Sequence, residues 1–262
     1  MRQSTTSLNQ DIFRQFLTLI AILAAFGTNV LANVAPFNGL TIGEISNTVF
    51  KEVLITPANY AFAIWGLIYL GLIALGVYQV LPAQRQNPSL RRMGYFLVLA
   101  SLDQIAWVFL FESRLFTLSL VAMLGILLSL IWAYQQLGVG RDRISRKHKW
   151  LVSIPLSIYL GWISVATIVN VALVLYTLGW QGWGISPEVW TVLALVAGAA
   201  IAATVSIQRA DIAFVLVIVW AFIAIAVRQA NIPLIAITAG GLAIALILLL
   251  VVSVMRQRQS AS

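Results

Sequence analysis

Long apolar runs alternate with short polar segments along this chain, and the alternation repeats eight times. A helix that crosses a bilayer needs about 20 mostly apolar residues. The runs meeting that pattern are Phe16 to Ala35, Ala58 to Leu81, Met93 to Phe111, Leu115 to Leu137, Trp150 to Tyr176, Val189 to Ile207, Ile212 to Val227 and Pro233 to Met255. Each predicts a transmembrane helix, and the seventh is the shortest. The segment between the first two runs carries a different signal. Thr41-Ile42-Gly43-Glu44 has capping-box spacing. Ile42, Ile45, Val49 and Val53 then recur at helical intervals with Phe50 beside them. This predicts a short amphipathic helix lying over one mouth of the bundle.

Polar groups at membrane depth are costly and tend to face the bundle interior. Asp103 sits mid-span in the third run, followed by Gln104, and Trp107 lies one helical turn further on the same face. The fifth run carries Tyr159, Trp162, Ala166 and Asn170 at steps of three, four and four, which is one helical face. The second run carries Asn59, Phe62, Trp65 and Tyr69 on one face, and the first adds Asn29 and Asn33. Indoles offer broad apolar faces with one N–H each. Together with a few amides and one carboxylate, they suit a pocket for a flat or ring-containing ligand. Trp65, Trp107 and Trp162 would stack on it, while Asn59, Asp103, Tyr159 and Asn170 would orient it. Low dielectric favours a neutral Asp103, with Asn170 or Asn59 as its hydrogen-bond partners. Glu112 with Arg114, and Arg209 with Asp211, lie at span edges and are expected to pair with each other or with water. Gly66, Gly71, Gly76 and Gly198 permit close helix approach.

Charge orients the bundle. With the N-terminus inside, the inner segments hold Arg2, Arg14, Arg85, Arg91, Arg92, Arg141, Arg143, Arg146, Lys147, Lys149, Arg209, Arg256 and Arg258. The outer segments hold only Lys51, Arg114 and Arg228 of the 16 basic residues. Lys and Arg concentrate in cytoplasmic loops, so both termini are expected in the cytoplasm, with the plasma (inner) membrane as the location. Composition agrees: 61% of the chain is hydrophobic and 9% charged, against about 25% charged in soluble domains. This excludes a soluble or nucleic-acid-binding protein. The chain has no cysteine and one histidine, His148, in a basic run expected to be solvated. Thiol chemistry is excluded, and no set of ligands for a metal is evident. With no Walker-type loop, nucleophile elbow or paired carboxylates, an enzyme is not expected.

Three segments, taken together and in order, resemble the tryptophan-rich sensory (TspO/MBR, translocator protein) family. Thr56-Pro57-Ala58-Asn59-Tyr60-Ala61-Phe62-Ala63-Ile64-Trp65-Gly66-Leu67-Ile68-Tyr69 is similar to the family's second-helix motif, P-P-x-W-x-F-G-x-V-W-x-x-x-Y. Pro57, Trp65 and Tyr69 match directly, and Thr56 replaces a proline. Leu102-Asp103-Gln104-Ile105-Ala106-Trp107 is similar to L-N-x-x-W, with an acid for the amide and one extra residue. Tyr159, Trp162, Ala166 and Asn170 match the spacing of the family's fifth helix, with Pro155 in place of its nearer proline. The resemblance covers about residues 13 to 177. It implies a five-helix bundle binding tetrapyrroles, sterols or aromatic compounds under the loop between helices 1 and 2.

The expected architecture is therefore an all-α integral membrane bundle of about eight spans. Residues 1–177 would form a TspO-like five-helix domain and residues 178–262 a three-helix membrane extension. The expected function is binding of a planar hydrophobic ligand for sensing or transmembrane movement, with Asn59, Trp65, Tyr69, Asp103, Trp107, Tyr159, Trp162 and Asn170 as site residues. Two alternatives stay open: a proton-coupled transporter using Asp103, and a structural subunit that docks a partner through its last three helices. The implied partners are membrane lipid and the hydrophobic ligand, a non-covalent tetrapyrrole among the candidates. No cofactor or nucleic acid is implied, and a homo-oligomer stays open.

Overall fold

Each of the eight apolar runs is helical in the computed structural model, which describes residues 5–141 and 144–259. The long helices are α1 (Thr5–Val34), α2 (Ile64–Val80), α3 (Phe96–Glu112), α4 (Phe116–Gln136), α5 (Ile154–Thr177), α6 (Pro187–Arg209), α7 (Ile212–Arg228) and α8 (Pro233–Gln259). No strand occurs among the described residues. Arg2 and Arg143 of the charge pattern lie outside the described residues, as does the side chain of Arg258. Six of the helical segments are long and apolar enough to cross a membrane. The other two, α3 and α7, have 17 residues each.

Two helices begin later than their apolar runs do. Pro57 holds the chain extended, and a 3₁₀ segment, Asn59–Ala63, precedes α2. A separate short helix, Pro88–Met93, lies ahead of the third run and ends at Gly94 (φ 56°), so α3 starts only at Phe96. Positive φ is accessible to glycine at little cost.

The first five helices close into a ring. α1 packs on α2 and α3, α3 on α4, α4 on α5, and α5 returns to α2. Lipid is as apolar as a side chain, so helices in a membrane associate through close packing and hydrogen bonds. Gly76 on α2 lets α1 approach until a Cβ there would lie 2.8 Å from Leu19, and Gly71 abuts Pro155 on α5. Gly66, by contrast, faces open space, so it does not serve the helix contact its spacing suggested. Phe13, Leu70, Val121 and Ile237 lie on the outer surface, where lipid would cover them.

The last three helices pack on one another, and α7 also lies along α5. At that seam Gly161 sits 3.1 Å from the Phe214 carbonyl, measured from the place a Cβ would take. The corner between α6 and α7 is tight. Ala210 is left-handed (φ 45°), and Asp211 caps α7 through the Phe214 N–H. The same carboxylate accepts from Tyr134 (2.8 Å) and Ser157 (2.6 Å), tying α7 to α4 and α5. Arg209 is not its partner, because the left-handed turn aims that guanidinium at the Val139 carbonyl, 3.0 Å away. Glu112 likewise does not pair with Arg114. It is fully buried and accepts from the Phe37 N–H at 3.1 Å. His148, expected in solvent, is 6% exposed, since it heads a turn that packs against α2.

Hydrogen bonds gather the loops at two ends. Arg91 binds Asp11 through both guanidinium and carboxylate arms, and the Gln257 side chain reaches the Gly140 carbonyl. At the opposite end Asn38 donates to Glu112, and Arg228 reaches Asn47 and Pro57. The segments rich in basic residues therefore share one end of the bundle, and Arg114 and Arg228 share the other.

Candidate ligand site

The site is built from its roof downward. Thr41 caps the short helix Ile42–Thr48, and both halves of the capping box form. The Glu44 N–H donates to Thr41 Oγ1 (3.2 Å), while Glu44 Oε2 accepts from the Thr41 N–H at 2.7 Å. These Thr41 donors, the backbone N–H foremost, hold the Glu44 carboxyl below its ordinary range. Beyond the helix, Phe50 is fully buried and its ring contacts Phe111, Phe116 and Tyr176. The apolar spacing from Ile42 to Val53 therefore pins the segment down over the ends of α3, α4 and α5.

Beneath Ile42 lies an apolar cavity of about 60 Å³. Trp65 of α2, Trp107 of α3 and Trp162 of α5 all line it, and Asn170 of α5 lies in its wall. Asn170 accepts from Trp107 Nε1 at 2.9 Å and donates to Ser119 Oγ at 3.4 Å. That bond fixes the plane of one indole against the cavity. Phe62 meets Trp162 edge-on at 6.0 Å.

A second compartment of about 310 Å³ adjoins the first. Ile42, Phe62 and Trp65 border both and form the partition. Its other walls are polar: Asn29 and Asn33 from α1, Asn47 from the roof helix, and Asn59. Asn47 donates to Asn59 Oδ1 at 2.8 Å.

Of the eight residues singled out by sequence, Trp65, Trp107, Trp162 and Asn170 meet at the apolar cavity, and Asn59 lines the amide compartment. Tyr69 and Tyr159 line neither. They stand behind Trp65, Tyr69 stacked at 5.6 Å and Tyr159 edge-on at 6.1 Å. Their hydroxyls donate to the Ala25 carbonyl (3.2 Å) and to Gln104 Oε1 (3.4 Å). Asp103 also lines neither compartment. Its carboxyl fills a notch at Gly125 on α4, where a Cβ would come within 2.5 Å of Oδ2. Its expected partners are committed elsewhere, Asn170 to Trp107 and Ser119, Asn59 to Asn47.

Sequence reasoning missed the residues that hold the roof from the C-terminal side. Arg228 donates to Asn47 Oδ1 (2.9 Å), to the Pro57 carbonyl (3.3 Å) and to the Ser46 carbonyl (3.5 Å). Gln229 donates to the Leu54 carbonyl at 2.8 Å, and Trp220 Nε1 to the Ala61 carbonyl at 3.2 Å. The Ala58 N–H donates to the Ala224 carbonyl at 3.1 Å. The only hint in the sequence is that Trp220 places an indole N–H mid-span, where it needs an acceptor. Among the described residues, no group of His, Cys, Asp or Glu could hold a metal ion.

No curated protein matches the chain, and no solved structure does. One family model does match, that of the TSPO-like proteins, over residues 15–252. The match runs beyond Thr177, where the sequence resemblance stops, and through α6 and α7 into α8. A ring of five apolar helices roofed by a capped loop, together with a match over most of its length, makes this chain a member of the TSPO-like protein family.

Proposed function

We propose that the chain binds a planar hydrophobic ligand beneath the α1–α2 roof, either to sense it or to move it across the membrane. Membership of the family points to ligand binding or transport in a membrane. The observation that carries the finer reading is the convergence of three indoles, from α2, α3 and α5, on one apolar cavity with Asn170 in its wall. Flat faces of this kind select rings, and a single amide supplies orientation. All eight long helices cross the bilayer in this reading, both termini are cytoplasmic, and the site opens toward the outer leaflet. The clustering of the thirteen inner basic residues between alternate spans supports that orientation.

The apolar cavity alone, at about 60 Å³, is far smaller than the roughly 300–1,000 Å³ of small-molecule sites. A ligand would enter by displacing Ile42, Phe62 and Trp65, which joins the cavity to the larger compartment. The coupled-transporter reading is less favoured, because the Asp103 carboxyl faces Gly125 and not either compartment. Titrating the purified chain in lipid nanodiscs with pyrene, a planar hydrocarbon that accepts tryptophan emission, tests the proposal. Transfer should saturate, and replacing Ala166 in the cavity wall with Trp should abolish the saturable part. Transfer that rises linearly, as into empty nanodiscs, would rule the reading out.

A further inference from the structure

Three further tryptophans gather where α5 turns into α6, and none of them lines either compartment. Trp180, Trp183 and Trp190 meet edge to face, with ring centroids 4.9 to 6.0 Å apart. Tyr176, at the end of α5, contacts Phe50 of the roof segment. The cluster therefore stands at the roof end of the bundle, opposite the segments rich in basic residues.

The backbone beneath these rings is tightly wound. Gly179 (φ 67°), Gly182 (φ 66°) and Gly184 (φ 81°) are left-handed, which glycine adopts at little cost. Trp183 (φ 53°) lies among them and is left-handed too, where a bulky side chain is strained. The Gly182 carbonyl accepts from Trp190 Nε1 and from the Ile185 N–H, both at 2.9 Å, which ties the loop to the first turn of α6. A Cβ on Gly182 would come within 3.2 Å of that indole nitrogen. The turn aims Trp183 outward and leaves it 81% exposed. Within the chain, edge contacts with two other indoles are all that offsets the strain.

The chemistry of the surrounding surface is mixed. Leu178, Ile185 and Val189 are exposed beside the rings. Among the described residues, Nε1 of Trp180 and of Trp183 has no acceptor, unlike that of Trp190. From Trp150 to Gln208 the chain has no Lys, Arg or His, and Glu188 is its one charged residue. Attraction to anionic headgroups is thus not what this surface offers. Water would leave the flat faces uncovered, and hydrocarbon would leave the N–H groups unpaired. The boundary between headgroups and acyl chains satisfies both, because ester carbonyl and phosphate oxygens accept while the chains cover the rings.

We propose that Trp180, Trp183 and Trp190 form a preformed wedge that seats in the headgroup–acyl boundary of the leaflet at the roof end, and that it sets the depth of the α5–α6 hairpin. The strain at Trp183 is offset by that partner. The wedge stands independently of the ring-binding site.

Fluorine NMR of the full chain, labelled with 5-fluorotryptophan in nanodiscs, tests the seat, with Trp183→Phe identifying the resonance. A nitroxide lipid labelled near the ester carbonyls should broaden the Trp183 signal most, and a water-soluble gadolinium chelate should scarcely affect it. Broadening by the chelate alone would place Trp183 in water and overturn the proposal. Broadening by neither would mean that another protein surface covers it, which also overturns it. The depth is tested separately. The chain has no cysteine, so Gln181→Cys gives a single attachment point for a spin label at an exposed position. Adding Trp183→Gly, which suits the left-handed backbone, should shift the label's collision ratio from oxygen toward a water-soluble nickel chelate. An unchanged ratio would overturn the depth-setting role.

Discussion

Asn170 holds the wall of the apolar cavity by two bonds, one to an indole on α3 and one to a hydroxyl on α4. Replacing it with leucine keeps the volume but strands Trp107 Nε1 in an apolar wall. Asn170→Leu should cost about 1–3 kcal/mol, read by chemical denaturation, and should broaden the Trp107 emission. Asp103 makes a different test. Gly125→Ala drives a methyl into its carboxyl, and overpacking of this kind costs about 1–3 kcal/mol. Asp103→Ala should relieve most of that cost, so the double variant should be more stable than the sum of the single effects allows. If the two add independently, the carboxyl does not occupy that notch. The three cavity tryptophans and Asn170 were legible in the sequence because helical periodicity fixes which residues share a face. Asp103 was not. It shares a face with Trp107 only to within the turn of one helix, and the glycine that receives it belongs to another.

Among the elements, α7 does what its modest length conceals. Its 17 residues make it one of the shortest long helices, yet its C-terminal half and the residue after it hold the segment from Ser46 to Ala61 through five side-chain hydrogen bonds and one backbone bond. Arg228→Ala should leave helix content unchanged and raise hydrogen exchange in residues 46–58. Arg228→Lys should restore only part of the protection, since an ammonium lacks the planar fork of guanidinium. Unchanged exchange in both variants would mean that Phe50 alone retains the roof. The roof helix was readable from its capping box and apolar spacing, which are local signals. Its attachment to α7 was not, because the pairing joins positions about 180 residues apart, and Arg228 reads in the sequence only as an outer charge.

For the molecule as a whole, hydropathy fixed where the helices lie, and the basic residues grouped their ends. The order of the ring, α1–α2–α5–α4–α3, came from seams such as Gly76 against Leu19 that no single run displays. The attachment of the roof to the C-terminal helices also carries a consequence in time. A chain synthesised from its N-terminus inserts α1, the roof and α2 long before α7 exists, and domains made this way order themselves as segments emerge. The carbonyls of Ser46, Leu54, Pro57 and Ala61 thus wait for donors that arrive near the end of translation. Until then the segment lacks those bonds, and exposed loops without such ties are preferred sites of proteolytic cutting. Ribosome-stalled chains halted before residue 212 should be cut by an externally added protease between residues 46 and 58, and released full-length chains should resist. The roof is thus the last part of the bundle to be fastened, although it lies near the start of the chain.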